Sequence, residues 1–380
     1  MNVKKNGDVS FWYADMGGLP GYRAALPGNI DIDVCIVGAG FTGLWTAYYL
    51  KKANPDLSIA IIEKEFAGYG ASGRNGGWCS GSFSWSRSKY LSTGTREGVI
   101  EFERQLRGTV EEVIRVCEAE GIDANIRRTD CLTFACTSAQ MERLRAEHAD
   151  DMAWQVPQER SHLIGAAEAA ARIRIKDVQG ALVTGGVARV QPAKLVRGLA
   201  DVVSRMGVAI YEQTTVTGIG KGRVTTNRGT VTAHRIVRAT EGFTHGIAGN
   251  EREWIPLNSA IVVTEPVPDA MWEELGWNGY ELFGDASHAY CYAQRTQDNR
   301  IAMGGRGVPY RFGSRTDVNG ETQAETVEKL KDILYRMLPQ TRSLKLDHAW
   351  CGVLGVPRDW CTTAGLDPQT GIAWAGGYVG

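Results

Sequence analysis

Asp33-Val34-Cys35-Ile36-Val37 runs directly into Gly38-Ala39-Gly40-Phe41-Thr42-Gly43, and an apolar helical run from Leu44 to Ala53 follows. No other stretch constrains the fold as much. The β-branched segment Ile32 to Val37 reads as a short buried strand. Asn54-Pro55-Asp56 breaks the helix, and Ser58 to Ile62 forms the next strand, ending at Glu63. Strand, glycine turn, helix and strand make one βαβ unit, so an α/β fold with a Rossmann-like domain is expected. A lone G-x-G-x-x-G is a weak signal, but strand, helix and terminal acid together supply its context. The first glycine permits the tight turn, the second lets backbone amides approach a pyrophosphate, and the third lets the helix pack on the strand. The helix N-terminus adds unpaired N–H groups and the positive end of its dipole. Glu63 lies about twenty positions beyond Gly43, where a carboxylate bonds adenosine ribose hydroxyls and repels a 2′-phosphate. An incidental glycine-rich turn is the competing reading, and the surrounding pattern counts against it.

The segment beyond Glu63 and Lys64 separates two dinucleotides. A nicotinamide enzyme usually continues with alternating strands and helices. Here Gly70-Ala71-Ser72-Gly73-Arg74-Asn75-Gly76-Gly77-Trp78 comes almost at once. Such a run suits backbone amides packed against a flat ring system and a pyrophosphate, with Arg74 and Asn75 as polar anchors. A surface loop is the alternative; Trp78, Phe83 and Trp85 beside it favour a partly buried segment.

Glycine is the compositional outlier, at 46 of 380 residues, in keeping with many tight turns and close backbone approaches. The 42 basic and 43 acidic side chains nearly cancel, which argues against a nucleic-acid partner. Eight scattered cysteines form no CxxC pair and only six histidines are present, so no metal site is expected. That cysteine usage suits a reduced, cytoplasmic protein. Met1 to Gly18 lacks the apolar run of a signal peptide, and nowhere do ~18 apolar residues run together to span a membrane.

The remaining pattern alternates elements over a length that accommodates about two domains. Arg96 to Gly121 is an amphipathic helix stopped by its glycine, and Ala139 to His148 and Pro192 to Met206 are further helices. Glu321 to Leu338 is another, ended by Pro339. Strands are expected at Cys131 to Cys136, Gly207 to Tyr211, Arg235 to Ala239, Ile261 to Thr264 and Ile301 to Met303.

With these segments in view, the chain resembles the D-amino-acid oxidase-like superfamily of FAD-dependent oxidoreductases. Within it, the likeness is to the glycine and sarcosine oxidase branch and to gamma-glutamylputrescine oxidoreductase-like proteins. It rests on Asp33 to Leu44, Ala71 to Gly77, Val190-Gln191-Pro192-Ala193-Lys194-Leu195, Gly304-Gly305-Arg306-Gly307 and Ala375-Gly376-Gly377-Tyr378-Val379-Gly380. The resemblance implies an FAD-binding domain assembled from residues 28–92, 183–248 and 348–380, and a substrate domain with a mixed or antiparallel sheet from 93–182 and 249–347. Residues 1–27 would be an N-terminal extension. It also places Val216 at the adenine through its backbone, and closes Ala239-Thr240-Glu241-Gly242 over the dinucleotide; many relatives have Asn where Glu241 stands. Gly377 and Tyr378 would approach the flavin pyrimidine edge, with Gly352 among the flavin contacts. Relatives run on from Gly-Tyr-Val-Gly into a long helix, so the chain is expected to be incomplete at that side. Cys351 falls near the position where sarcosine oxidases attach flavin, although closer relatives bind FAD noncovalently, and a buried thiol without flavin attached is expected.

The implied reaction is removal of a hydride from the carbon beside an amine nitrogen. The substrate is a small-molecule amine and O2 is the expected electron acceptor. The nitrogen must be uncharged, since an ammonium has no lone pair to support hydride departure. Ser287-His288-Ala289-Tyr290-Cys291-Tyr292 alternates, so His288, Tyr290 and Tyr292 would share one strand face and box the amine; a solvated or core stripe is the alternative. Arg306 is a candidate bidentate anchor for an anionic group, or else an ion-pair partner. His348, in the same approach segment as Cys351, is a candidate catalytic residue near the flavin ring. Sarcosine oxidases carry a lysine before the Gly304-Gly305 pair, where this chain has Ala302 and Met303, so a dehydrogenase with another acceptor stays open. So do an NAD enzyme and a truncated flavin-binding protein without turnover.

Overall fold

The computed structural model describes residues 5–84, 86–305, 310–316 and 318–379. The expected βαβ unit is present: strand β1 (Ile30–Val37), helix α1 (Phe41–Ala53) and strand β2 (Ile59–Ile62). β1 and β2 pair in parallel, from Val34 opposite Ile59 to Val37 opposite Ile62. Their residues are apolar almost without a break because both faces of the sheet are covered. Val34, Ile36, Ile59 and Ile61 pack against α1 and against the helix Pro192–Arg205. Cys35, Val37 and Ile62 face the opposite way, onto Leu26, Val224 and Val231. The parallel order runs Ile372–Gly376, Thr230–Arg238, β1, β2, Ala209–Tyr211, with Thr363–Asp367 antiparallel at one edge. A hairpin of Val216–Gly220 and Arg223–Thr226 adds to Thr230–Arg238.

A second sheet has nine strands and is mixed. Its path is Leu346–Val356, Ile255–Thr264, Ile301–Gly305, Cys291–Arg295, Leu282–Asp285, Arg127–Ala135, Gly180–Arg189 and Trp78–Cys79; Ser161–Gly165 pairs with Gly180–Arg189. The pairs are antiparallel apart from Leu282–Asp285 with Arg127–Ala135. The boundaries expected at 183 and 348 fall inside two of these strands, and the loop after Asn75 crosses from one sheet to the other at Trp78. Alternation assigns the faces. Ala260, Val262, Met303, Ala349 and Cys351 form one core with Leu330 and Leu334 of the helix Ala324–Met337. Ile261, Val263, Ala302 and Trp350 face the other way, against Phe11, Trp12 and Tyr13.

The long helix Arg96–Glu120 starts at Thr95, whose side chain accepts from Gly98 N, and stops at Gly121 in the left-handed region (φ 70°). The expected Ala139 to His148 helix is longer, Ser138–Ala153, and Thr137 caps its start by accepting from Gln140 N. Among the described residues no helix is long and apolar enough to cross a membrane.

Candidate flavin and substrate site

At the end of β1 the chain turns at Gly38 and enters α1 with its first amides turned outward. A Cβ on Gly43 would lie 2.0 Å from the Gly38 carbonyl oxygen, so this close approach admits only glycine. Ala39 N donates to Glu63 Oε2 at 2.8 Å and Glu65 N to Glu63 Oε1 at 3.0 Å, which fixes the carboxylate beside the turn. Burial pushes the Glu63 carboxyl up to about 7 against the pull of those two N–H groups. Lys64, by contrast, is exposed and lies 3.9 Å from Glu65. Phe41 N, next to the N-cap Gly40, donates to Ser72 Oγ at 2.8 Å, joining the turn to the glycine-rich loop.

That loop passes Gly70, makes a short 3-10 turn over Ala71–Gly73 and reaches Arg74. The Arg74 side chain is 1 % exposed. Its Nε donates to Tyr69 O (2.7 Å) and Nη1 to Cys351 O (3.2 Å), and the guanidinium lies 4.3 Å from the Tyr69 ring centre. Nη2 is buried with no hydrogen-bond partner, and no carboxylate pairs with Arg74 among the described residues. A buried cation lacking an anion is costly, which suits a site made for an anionic ligand. Asn75 holds the loop itself: its Nδ2 donates to Ser72 O and its Oδ1 accepts from Gly77 N. Gln294 Nε2 donates to Gly76 O. Trp78 then pairs with Arg189 in the second sheet, and its Nε1 is a second buried donor with no partner.

A third wall comes from later segments. Ala239 N donates to Val37 O, Thr240 shares a 2.8 Å hydroxyl contact with Thr244, and Gly242 packs on Val353 and Leu354. Gly352 backs onto Arg74 and Ala71. Glu241 takes φ 43° and its carboxylate accepts from Gly377 N at 3.0 Å and Tyr378 N at 3.4 Å. Burial drives this carboxyl up to about 7. Thr42 Oγ1 donates to Tyr378 Oη at 3.0 Å, so Tyr378 meets the first turn of α1. Val216 opens its strand opposite Thr226 and is half-buried.

The substrate candidates part company. His288, Tyr290 and Tyr292 do not share a strand face. Asp285 accepts from Cys291 N and from Ser287 Oγ, which closes a hairpin over 286–290 and starts the strand only at Cys291. His288 and Tyr290 are exposed on that turn, whereas Tyr292 is directed to the face that carries Gln294. The Tyr292 ring is wedged between two glycines: a Cβ on Gly76 would meet it at 2.6 Å and one on Gly304 at 2.2 Å. It meets Trp78 edge-on at 5.9 Å and places its hydroxyl 3.3 Å from Ser259 Oγ. Burial raises its phenol to about 12. His348 is enclosed instead under the amino-terminal segment, where Nε2 meets Gly7 O at 2.9 Å beside Phe11 and Trp350, and burial lowers its pKa. Arg306, like Trp85, Gly307 and Gly380, lies outside the described residues. Cys351 is fully buried on the core face of its strand.

Sequence reasoning missed Glu241 as a ligand of Gly377 and Tyr378, since nothing local marks a pairing across 136 positions. It saw Tyr292 only as one of three.

Residues 33–380 match the sequence profile of the FAD dependent oxidoreductase (DAO) family. The chain belongs to that family. Among relatives of this FAD-dependent oxidoreductase is gamma-glutamylputrescine oxidoreductase of Escherichia coli (strain K12), 27% identical over 370 residues, covering 93% of this chain and 80% of that protein. Glycine oxidase of Bacillus licheniformis is 24% identical over 357 residues, covering 91% and 87%. In fold the oxidoreductase is similar to L-proline dehydrogenase from P. horikoshii (TM-score 0.74, 19% identity, 93% and 89% covered). It is similar too to glycine oxidase from Geobacillus kaustophilus (TM-score 0.73, 21% identity, 92% and 90% covered). FAD is accordingly its cofactor, and the orphaned donors of Arg74 and Trp78 fit a group that offers negative charge and hydrogen-bond acceptors.

Proposed function

We propose that this oxidoreductase converts a primary or secondary amine, of amino-acid or polyamine type, to an imine, with O2 as the electron acceptor. The observation that carries this reading is the Tyr292 slot. An aromatic wall of Tyr292 and Trp78 continues directly from the loop that holds Arg74, and among the described residues Tyr292 and Ser259 lend it hydroxyls. Bound FAD supplies a two-electron acceptor for a hydride from the carbon beside nitrogen. The chain's part is to bind the amine uncharged and to keep its carbon in place. A phenol held near 12 stays protonated at neutral pH, so Tyr292 offers a neutral hydroxyl and not a base. Proton loss from the ammonium therefore goes to water before the amine seats. Neutral aromatic walls favour that form by making the charged one shed its hydration. Water then hydrolyses the imine to a carbonyl compound and an amine or ammonia. The names of the relatives, one acting on gamma-glutamylputrescine and one on glycine, support an amine as the substrate.

A dehydrogenase passing electrons to another carrier is a second reading, favoured by one observation. Ala302 is covered by the amino-terminal helix and Met303 faces the opposite core, so neither offers a cation beside the ring site to assist oxygen. An anaerobic panel of amines tests the main proposal through loss of the flavin band near ~450 nm. Bleaching by an amine, followed by recovery of the band in air, is expected. A flavin-loaded protein that no amine bleaches overturns the proposal; recovery with a quinone but not with air selects the dehydrogenase.

A further inference from the structure

The segment expected as an N-terminal extension is built into the cofactor loop. Lys5 O accepts from Ala349 N at 2.8 Å and Gly7 N donates to Ala349 O at 2.9 Å, which lays the chain along the strand Leu346–Val356. The helix Phe11–Asp15 then sits against the glycine-rich loop, held by Gln191 Nε2 donating to Trp12 O and to Asp15 Oδ2. Ser10, Trp12 and Tyr13 are all fully enclosed. Each gives its side-chain proton to a different loop carbonyl: Ser10 Oγ to Gly73 O (2.7 Å), Trp12 Nε1 to Asn75 O (2.8 Å) and Tyr13 Oη to Gly68 O (3.0 Å). Trp350 Nε1 adds a bond to Arg74 O at 2.7 Å. Space as well as hydrogen bonding is matched here, since a Cβ on Gly73 would meet Tyr13 Oη at 2.5 Å.

A peptide unit is planar with its carbonyl and N–H opposed. Holding the carbonyls of Gly73, Arg74 and Asn75 therefore fixes three consecutive planes around Arg74, and turns the Gly76 N–H to the side away from Trp12. We propose that Ser10, Trp12 and Tyr13 are positioning residues of the flavin site: through this loop they fix the direction of the Arg74 guanidinium and the Gly76 N–H that receive FAD. The proposal rests on this loop being where FAD binds. These side chains touch no substrate; their effect is on cofactor retention.

The test compares FAD release from holoenzyme on dilution, followed by the rise in free-flavin fluorescence, for wild type, Trp12→Phe and Trp277→Phe. Trp277 is a fair control because its Nε1 also donates to a buried carbonyl, Glu281 O at 3.0 Å, but far along the chain from the loop. Trp12→Phe keeps the ring bulk and strands the Asn75 carbonyl, so a rise in FAD Kd of about 10-fold is expected. Trp277→Phe is expected to lower the unfolding midpoint with FAD Kd unchanged. A Trp12→Phe protein that unfolds earlier yet keeps the wild-type Kd overturns the proposal. Should Trp12→Phe fail to fold, Tyr13→Phe and Ser10→Ala each delete a single hydroxyl, and wild-type Kd values for both overturn it equally. Failure of the wild type itself to hold flavin would overturn the cofactor reading of the loop and the proposal with it.

Discussion

Substituting Gly43 by Ala tests the turn at the heart of the proposed flavin site. The added Cβ would stand 2.0 Å from Gly38 O and 3.1 Å from Ile36 Cγ2, and heavy atoms do not approach a Cβ closer than 3.0 Å. Both obstacles belong to β1 and the turn that ends it, so neither is a flexible tip that can swing aside. Helix α1 must retreat by about 1 Å, which loosens Leu44 and Ala47 against Ile36 and costs about 1–3 kcal/mol of stability. The same movement carries the first amides of α1 away from the position proposed for the FAD phosphates. Weakening two charge-assisted bonds by about 1.5 kcal/mol each lowers FAD affinity about 100-fold. Flavin content after gel filtration and a denaturant melt measure the two effects. Gly108→Ala is the control, because a Cβ there meets nothing within 4 Å in the middle of the helix Arg96–Glu120. It should stabilise by about 0.5–1 kcal/mol and leave flavin untouched. A Gly43→Ala protein with full flavin and an unchanged melt refutes the close-packing argument.

With Glu63 in the proposed ribose role, FAD binding is expected to depend on pH. Burial holds its carboxyl near 7 without cofactor, and ribose hydroxyls favour the carboxylate, so affinity should fall as pH drops below about 7, by at most ~10-fold per unit; a titration from about pH 8 to about pH 6 that stays flat rejects the ribose role, and Glu63→Gln should flatten it. Glu63 and Glu241 are both raised above their unfolded values, so their contribution to stability is full below about 4.5 and is lost as pH rises through about 7. Cofactor-free protein should therefore melt at progressively lower denaturant from about pH 5 to about pH 8 as far as these two groups act, and Glu241→Gln should reduce that slope. Tyr292→Phe keeps the ring in its slot and removes the hydroxyl near Ser259, so kcat/KM for the amine should fall about 10-fold with the flavin spectrum unchanged; unaltered turnover places Tyr292 outside the substrate wall. Cys351 is turned into the core, so acid precipitation should leave the yellow colour in the supernatant, whereas a coloured pellet would mean covalent attachment.

The features legible in the sequence were local ones. β1, α1 and β2 could be placed because one run of residues carries the strand, the tight turn and the helix, and Gly121 marks its helix end by the φ it must adopt. Arg74 and Asn75 were picked out as polar anchors for the cofactor; in the structure their side chains bond within the loop they share, and Arg74 keeps one buried donor unpaired. The failures are long-range or depend on a single hydrogen bond. An alternating pattern over Ser287 to Tyr292 looked like a strand, but Asp285 takes the Cys291 amide and folds the first part into a turn. His348 has the polarity of a site residue, and only the position of Gly7, 341 residues away, shows that it is enclosed. Residues 1–27 carry no periodicity that would announce a structural role, and the partners of Ser10, Trp12 and Tyr13 are carbonyls some sixty positions away in the glycine-rich loop.

The order of strands in the first sheet bears on how such a chain comes to be made. β1 lies between β2, its near neighbour in sequence, and Thr230–Arg238, which is synthesised some two hundred residues later. The flank beyond that, Ile372–Gly376, emerges later still. During synthesis the glycine turn therefore exists as a βαβ fragment with one sheet edge open, and contacts of such high sequence separation form slowly. Trp350 and Gly352, which back the Arg74 loop, are not yet available either. With FAD bound at the proposed site, its capture is expected only after nearly all of the described chain has left the ribosome. Until Thr230–Arg238 arrives, the open edge of β1 is the point most exposed to aggregation and to proteases.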